Sequence, residues 1–307
     1  MRVLLCGGTG MVGQAVQRRN HETRTGWTIE APNSHELDCA DPVSVQNWFA
    51  GRNYDLVVMA AAKVGGIKAN MEDQVGFLWK NMMIGMNVVK AAHDHNVPKL
   101  INLGSSCMYP RDYRQPLVEE DIFAAPFEPT NEGYAIAKTA TAKLCEYMAK
   151  QNGRDYRTLI PCNLFGPADR YDPDHGHLLA HIIMKTHAAK VQNKPSIEIW
   201  GTGEVLREFL YVDDLADAIL MFGRNPAALP HYLNVGSGID HSINTYYATA
   251  ASVFGYAGTF THDTGKPNGM TRKLMDSSKA RALGWSPKTS LEEGFSRAYA
   301  WYLEHYA

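Results

Sequence analysis

The sequence has few cysteines, no long apolar run and no repeated or low-complexity segment. Its five cysteines form no Cys-x-x-Cys pair and have no zinc-finger spacing, so neither a disulfide framework nor a cysteine metal site is predicted. No apolar stretch approaches the roughly 18 residues of a membrane-spanning helix, and the first residues predict a strand rather than a signal segment. We therefore expect a cytoplasmic protein with reduced thiols and no membrane span.

The chain also lacks an excess of either charge. Thirty Lys and Arg residues against 32 Asp and Glu residues leave a formal net charge of −2 among 307 residues. Such a balance provides no general attraction to nucleic acid or to anionic membranes, so an anionic ligand must meet a local basic cluster. With 45% hydrophobic and 20% charged residues, the chain is long enough for one large α/β domain or two modest ones.

The first twenty residues have the pattern of a dinucleotide-binding turn. A short apolar run at 2–6 predicts a buried parallel strand, and it leads through a glycine-rich turn into a helical pattern. Glycines permit a tight turn and a close approach of the backbone to pyrophosphate, which the helix N-terminus attracts; the alternative is a plain turn. The predicted cofactor contacts here are Gly7, Thr9, Gly10, Met11, Val12 and Gly13.

The end of the second predicted strand, at 28–31, normally selects the cofactor. An acidic residue there bonds the ribose of NAD, whereas a basic residue accommodates the 2′-phosphate of NADP. Asn33 and Ser34 occupy this turn, with neither charge. The residues therefore leave both cofactors open, although the absence of a carboxylate removes the main repulsion against NADP.

Three further strands are predicted at 55–62, 99–104 and 156–161, each followed by small or polar residues. Ligands of doubly wound sheets bind beyond the carboxyl ends of the strands. Ser105 and Cys107 come directly after the strand at 99–104. A serine hydroxyl there can hydrogen-bond a substrate oxygen, and a thiolate can take a proton from carbon beside a ketone. The alternatives are a serine that bonds the strand end and a buried structural thiol.

Tyr134 and Lys138 are four residues apart on a predicted helix and so lie on one face. An ammonium group close to a phenol favours the phenolate, and we therefore expect the pKa of Tyr134 to be lowered. A tyrosine tuned in this way can protonate a carbonyl oxygen. A chance surface pair is the alternative, but Ser105 lies 29 residues upstream, in the layout of a reductase triad.

Four features together resemble the extended short-chain dehydrogenase/reductase family. They are the glycine turn, the 104–107 run, Tyr134 with Lys138, and the Pro-Cys-Asn-Leu-Phe-Gly-Pro run at 161–167. The run at 61–66, Cys107 and His177 narrow the resemblance to the branch that converts GDP-4-keto-6-deoxy-D-mannose to GDP-L-fucose. The likeness covers the whole chain. It implies an α/β fold with a Rossmann-type doubly wound parallel sheet and a smaller α/β substrate domain.

The resemblance also implies how the chain is divided. The dinucleotide-binding domain is expected at 1–165 and 209–233, and the substrate domain at 166–208 and 234–307. The two domains would therefore be interwoven. Proteins of this branch are homodimers that pair through the helices at 77–95 and around Tyr134, so a homodimer is expected.

The implied chemistry has two stages. Cys107 and His177 would act as base and acid in epimerisation at C3 and C5, and NADPH would then reduce C4, with NADH as a weaker substitute. Tyr134 would protonate the new oxygen, Ser105 would hold it, and Lys138 would tune Tyr134 and bind the nicotinamide ribose.

The resemblance assigns binding residues too, and no metal. The further cofactor contacts would be Asn33, Ser34, Asp38, Ala60, Ala61, Ala62, Tyr134, Lys138, Pro161, Asn163, Leu164 and His177. The substrate contacts would be Lys63, Cys107, Asn163, Lys185, Trp200, Arg207 and Lys273.

Three alternatives stay open. Sister enzymes of this branch reduce other GDP-4-keto sugars, including colitose and heptose precursors. A non-catalytic dinucleotide sensor on the same fold is a different class, but such proteins commonly lose the Tyr or the Lys, and this chain keeps both. His177 and His181 have the spacing of metal ligands, yet no third ligand of matching spacing follows.

Overall fold

The computed structural model describes residues 1–173, 175–265 and 270–307. Positions 174 and 266–269 of the predicted substrate domain lie outside the described residues. The strands are β1 (Arg2–Cys6), β2 (Thr28–Glu30), β3 (Leu56–Met59), β4 (Lys99–Leu103), β5 (Asp155–Pro161), β6 (Asn163–Phe165), β7 (Ser196–Trp200), β8 (Leu206–Tyr211), β9 (Tyr232–Val235), β10 (Asp240–Ser242), β11 (Thr259–Asp263) and β12 (Arg272–Lys273).

Helices alternate with these strands. They are α1 (Met11–Thr23), α2 (Pro42–Phe49), α3 (Ile67–Glu72), α4 (Gln74–Asp94), α5 (Glu132–Asn152), α6 (Leu178–Val191), α7 (Val212–Phe222), α8 (Ile243–Phe254), α9 (Ser278–Ala282) and α10 (Leu291–Tyr306). Short 3₁₀ turns connect several of them, including Ser106–Met108 directly after β4.

Six strands form a parallel sheet in the order β2-β1-β3-β4-β5-β9. The strand order changes direction at β1, because β2 lies on one side of it and β3 on the other. The carboxyl ends of β1, β3 and β4 therefore lie side by side, at the point where cofactors bind in such sheets. Strands β1 and β3 are almost wholly apolar, and all but the first residue of β1 and β4 and the whole of β3 are buried, because helices cover both faces. The predicted fold class is confirmed, and no predicted strand end differs by more than three residues.

The second half of the chain builds two smaller sheets. Strand β8 pairs with β10 and β12 and also with β6, which follows β5 of the large sheet directly. Strands β7 and β11 form a separate parallel pair. These elements surround their own apolar core, in which Phe165 packs against Phe209 and Phe295. The division into domains at 1–165 with 209–233, and 166–208 with 234–307, stays a prediction.

Helices α4 and α5 pack unusually closely because two glycines leave room at the contact. A Cβ on Gly133 would lie 2.8 Å from the carbonyl oxygen of Gln74, and a Cβ on Gly85 would overlap the side chain of Thr141. Close approach of these two helices fixes Tyr134, near the start of α5, over Phe77 of α4. The described helices include none with the length and apolar composition needed to cross a membrane.

The turn between β1 and α1 depends on Gly13, and this dependence can be tested. A Cβ on Gly13 would lie 2.2 Å from the Gly7 carbonyl oxygen and 2.5 Å from the Gly8 Cα. We expect Gly13→Ala to lower the free energy of unfolding by about 2 kcal/mol, because backbone atoms of the turn must move. Urea unfolding measures the change.

Gly10→Ala is the matched control. Its Cβ would meet nothing closer than 3.5 Å, and Gly10 has an ordinary φ of −79°. We expect a change within about 0.5 kcal/mol. Equal unfolding midpoints for the two variants would contradict the role of Gly13.

Candidate active site

Ser105 and Cys107 lie directly beyond the carboxyl end of β4. Ser105 begins the 3₁₀ turn, and its hydroxyl oxygen accepts a hydrogen bond of 3.2 Å from the backbone N–H of Cys107. Cys107 is half-buried, whereas the other four cysteines are buried. The local turn thus leaves the thiol of Cys107 as the accessible one beside the strand end.

The Cys107 sulfur has a polar neighbour that the sequence analysis missed. Nδ2 of Asn131 lies 3.1 Å from Sγ of Cys107 and donates a hydrogen bond to it. Asn131 is the N-cap of α5, three residues before Tyr134. Helix α5 therefore brings an amide as well as a phenol to the end of β4.

Lys138 fastens α5 to the sheet. Its side chain is buried, and Nζ donates a hydrogen bond of 2.9 Å to the carbonyl oxygen of Leu103, the last residue of β4. Burial lowers the pKa of Lys138 to about 8, and negative charge on Cys107 acts in the opposite direction. The amine lies 5.8 Å from the centre of the Tyr134 ring.

The direction expected for the pKa of Tyr134 is wrong in this structure. Burial raises the pKa of Tyr134, negative charge on Cys107 raises it further, and hydrogen bonding with Ser105 lowers it. Lys138 contributes no lowering, because its amine points to Leu103 rather than to the phenol oxygen. Tyr134 is thus held in its protonated form, as a proton donor requires.

The loop after β3 connects this group to the segment that carries His177. Lys63 is held by the buried Asn81, whose Oδ1 accepts from the Lys63 N–H at 2.8 Å. Further along the loop, the N–H of Gly66 donates to the carbonyl oxygen of His175 at 3.4 Å. His177 is the half-buried N-cap of α6. The amine of Lys63 pairs with Asp73 and lies over the ring of Phe77.

Arg207 and Lys273 form a pair of adjacent cations. They are direct partners in the β8–β12 ladder, so their side chains leave the same face. Burial lowers the pKa of both, and Arg207 further lowers that of Lys273. Glu128 offsets both shifts, and negative charge on Cys107 raises the pKa of Lys273. Two half-buried like charges side by side favour an anionic ligand.

The cofactor residues fall in two groups. At the glycine turn, a Cβ on Gly7 would lie 2.6 Å from the backbone nitrogen of Ala61, so the turn and the end of β3 are in close contact. Gly10 caps α1 without a side chain, which leaves a backbone cradle at a helix N-terminus that fits a pyrophosphate. Thr9, Met11, Val12, Ala60 and Ala62 complete this group.

Near the end of β2, two of the predicted residues are engaged locally. Oδ1 of Asn33 accepts hydrogen bonds from the N–H groups of His35 and Glu36, and Oδ1 of Asp38 accepts from Ala40. Ser34 is exposed. These bonds shape the turn.

The remaining predicted residues lie beyond β5 and on the smaller sheets. Nδ2 of Asn163 donates to the carbonyl oxygen of Glu208 at 3.0 Å, with Pro161 before it and Leu164 after it. Nζ of Lys185 donates to the carbonyl oxygen of Glu198 in β7. Trp200 ends β7 with 66% of its surface exposed, so it is not a core tryptophan. Lys185 is thus bonded to β7, at whose end Trp200 lies.

Two acidic residues near the site were also missed. Glu128 acts on the pKa of Arg207 and Lys273, as described above. Asp169 is buried, and burial raises its pKa while His177 and His181 lower it. Both belong to irregular segments without a motif, so the sequence carried no signal for them. The described residues contain no group of three His, Cys, Asp or Glu placed to hold a metal ion.

Residues 3–236 match the model of the NAD dependent epimerase/dehydratase family. The chain is 42% identical over 312 residues to a GDP-L-fucose synthase of Escherichia coli (strain K12), with 99% of this chain and 97% of the relative covered. It is 42% identical to a GDP-L-colitose synthase of Yersinia pseudotuberculosis, with 99% and 98% covered. A solved GDP-mannoheptose C4 reductase from Campylobacter jejuni with NADP bound has a TM-score of 0.89 at 30% identity, with 98% of each chain covered.

The buried amine of Lys138 predicts a pH-dependent stability. Its pKa is about 8 in the folded protein and 10.5 as the ordinary value, so the cost of burying its charge is complete below pH 8. As pH rises from 8 to 10.5 the unfolded chain holds more protons, and the folded protein gains stability. Relative to wild type, Lys138→Met should therefore lose about 3 kcal/mol of unfolding free energy between pH 7 and 10.5.

Denaturant unfolding at several pH values measures this difference. Loss of the hydrogen bond to Leu103 lowers the unfolding free energy of Lys138→Met by the same amount at every pH, so it does not change the pH dependence. The exposed Lys80 on α4 is the control position for a Lys→Met substitution. A pH-independent difference between Lys138→Met and wild type would contradict the buried charge.

Proposed function

The chain belongs to the NAD dependent epimerase/dehydratase family, and on that premise we propose that it is a bifunctional epimerase-reductase that converts GDP-4-keto-6-deoxy-D-mannose to GDP-L-fucose with NADPH. One observation carries the proposal: Ser105 and Cys107 lie at the end of β4, and α5 brings Asn131, Tyr134 and Lys138 to the same strand end. A thiol, a phenol and an amine thus lie at one strand end, as two chemistries in one pocket require.

In the epimerisation stage, Cys107 takes a proton from carbon beside the 4-keto group. The C–H electron pair moves into an enolate, whose charge the keto oxygen carries. His177 returns a proton to the opposite face, which inverts the centre. The same pair would act at C3 and at C5. The neighbouring Lys63 loop, bonded to the backbone of His175, supports the position of His177.

In the reduction stage, Tyr134 protonates the C4 oxygen and Ser105 hydrogen-bonds it. NADPH, when bound, supplies the hydride to C4. Burial keeps the pKa of Tyr134 raised, so the phenol holds its proton until the C4 oxygen becomes a stronger base. Lys138 positions α5 through Leu103 and would bond the nicotinamide ribose.

The adjacent Arg207 and Lys273 suit the diphosphate of a GDP-sugar. A forked guanidinium and an ammonium together neutralise anionic oxygens and relieve their mutual repulsion. Lys63, Asn163, Lys185 and Trp200 would complete the contacts with the substrate.

NADPH is the proposed cofactor, with NADH as a weaker substitute. The turn after β2 holds no carboxylate aimed at a 2′-phosphate, because the side chain of Asp38 bonds Ala40 and that of Glu36 bonds Asn33. The solved heptose reductase has NADP bound. The cofactor would be held by three groups of residues: the glycine turn, the Ala60 to Ala62 run, and Asn33 with Ser34.

A sister substrate is the second candidate, because a GDP-L-colitose synthase is as similar to the chain as the fucose synthase is. Such an enzyme would reduce another GDP-4-keto sugar with one epimerisation or none. We also infer a cytoplasmic location from the five free thiols.

Two substitutions separate the proposed stages. With GDP-4-keto-6-deoxy-D-mannose and NADPH in D₂O, we expect wild type to incorporate deuterium at C3 and C5. Cys107→Ser should lose this incorporation. Tyr134→Phe should keep it, while NADPH oxidation falls by about 10²-fold or more because the proton donor is gone.

NMR of the product sugar and absorbance of NADPH provide the two readouts, and each variant is the control for the other. Unchanged GDP-L-fucose formation by Cys107→Ser would remove the thiol from the mechanism. Near-normal reduction by Tyr134→Phe would remove the phenol. A wild type that oxidises NADPH only with another GDP-keto sugar would favour the sister substrate.

We also propose a homodimer that pairs through α4 and α5. Val75 and Trp79 lie four residues apart on α4, and Ile136 and Tyr147 lie eleven apart on α5, so each pair shares a helix face. All four are exposed, and Trp79 is 69% exposed. An apolar face shared by two adjacent helices is typical of a subunit interface.

Trp79→Glu should therefore convert the dimer to a monomer, because it places a charge in the centre of the apolar face. Light scattering coupled to size exclusion measures the mass. Val191→Glu, at an exposed apolar residue of α6, is the control and should leave the mass unchanged. A monomeric wild type, or a dimeric Trp79→Glu variant, would overturn the proposal.

A further inference from the structure

We propose that Asn131 is a positioning residue for Cys107. The amide N–H of Asn131 donates a hydrogen bond that holds the Cys107 sulfur as a thiolate. The amide oxygen of Asn131 accepts a hydrogen bond from a hydroxyl of the bound sugar. This inference rests on the proposed function, in which Cys107 is the base of the epimerisation. It adds a residue to which no role has been assigned above.

The geometry of the thiol is determined from two sides. Nδ2 of Asn131 donates to Sγ of Cys107 at 3.1 Å, and the Cys107 N–H donates to Oγ of Ser105 at 3.2 Å. The Asn131 N–H in turn donates to the carbonyl oxygen of Glu128 at 3.1 Å. A donor directed at sulfur stabilises its charged form more than its neutral form. The thiol is therefore held in one orientation, with a hydrogen-bond donor directed at its sulfur.

The side chain of Asn131 contacts the Cys107 sulfur instead of capping α5. An asparagine at a helix N-cap ordinarily accepts a hydrogen bond from an N–H group of the first turn, which stabilises the helix by about 1 kcal/mol. Asn131 is the N-cap of α5, yet its side chain makes no capping hydrogen bond. The amide is directed at the sulfur instead, so helix stability does not explain this side chain.

The other end of the Asn131 amide is a hydrogen-bond acceptor. Oδ1 of Asn131 is buried and has no hydrogen-bond partner among the residues that the structure describes. A buried acceptor without a donor is costly, and native proteins rarely retain one without a function. A hydroxyl-bearing sugar, placed so that Cys107 reaches carbon beside its ketone, provides donors on that side.

The charged and titratable groups around Cys107 support the same state. Burial lowers the pKa of Lys138 of α5 and of Lys273 of β12, and negative charge on the sulfur acts in the opposite direction on both, so each amine favours the thiolate in return. Glu128, which acts on Lys273, is the acidic group of this environment. Tyr134 also responds with a raised pKa. A thiolate at Cys107 therefore keeps the proton donor of the second stage protonated.

Alkylation of the substrate-free protein tests the inference directly. Iodoacetamide labelling of Cys107, followed by mass spectrometry across a range of pH, measures the pH at which half of the maximal rate develops. We expect this midpoint to rise in Asn131→Ala, with the rate at pH 7 about tenfold lower. It should rise further in Asn131→Asp, which keeps the shape and a good N-cap but places a carboxylate beside the sulfur.

The two variants distinguish the proposed role from a structural one. A structural role would expose the thiol and raise the alkylation rate at every pH without moving the midpoint. Midpoints equal to that of wild type, or a lower midpoint in Asn131→Asp, would overturn the inference. Cys107→Ser identifies the labelled site, because it should abolish this adduct.

A second measurement tests the free amide oxygen. In Asn131→Ala we expect KM for the GDP-keto sugar to rise and deuterium incorporation to fall more than reduction does. An unchanged KM would overturn the assignment of Oδ1 to the sugar. If wild type neither exchanges nor reduces the sugar, the proposed function fails, whereas the alkylation midpoints still decide whether Asn131 acts on Cys107.

Discussion

The hydrogen bond from the buried amine of Lys138 to the last carbonyl of β4 is the contact on which the rest of the site depends. It joins α5 to the sheet at the point where Ser105 and Cys107 begin. Because α5 also carries Asn131 and Tyr134, one helix position determines where the amide and the phenol stand relative to the thiol. Gly133 of α5 and Gly85 of α4 let these two helices approach closely enough for α5 to occupy this position.

Burial determines the protonation of this site more than charge pairing does. Desolvation raises the pKa of Tyr134 and lowers that of Lys138, because both groups are least stable in their charged forms away from water. A phenol with a raised pKa gives up its proton only to a strongly basic oxygen, so Tyr134 is not poised near neutrality. Arg207 and Lys273 follow the same rule, and an anionic ligand would compensate for the cost of placing two cations together.

A residue's position could be predicted from the sequence where it follows from local pattern. Apolar runs predicted the strands, and the ends of those strands predicted where Ser105 and Cys107 would lie, because parallel strands end on one side of a sheet. The prediction failed for the pKa of Tyr134, since four-residue spacing places Lys138 on the same helix face without saying where its amine points. The amine of Lys138 donates a hydrogen bond to the carbonyl oxygen of Leu103, which is far from Lys138 in the chain.

The sequence by itself determined the fold class, the glycine-rich turn between β1 and α1 and the order of the chemical groups, because each depends on the spacing of a few residues within one segment. Only the tertiary structure decided which groups meet. Asn131 reaches Cys107 across 24 positions, Lys273 joins Arg207 through a strand pair, and Asp169 is buried beside histidines of another segment. Such contacts arise from the packing of distant elements, and burial then sets their charge.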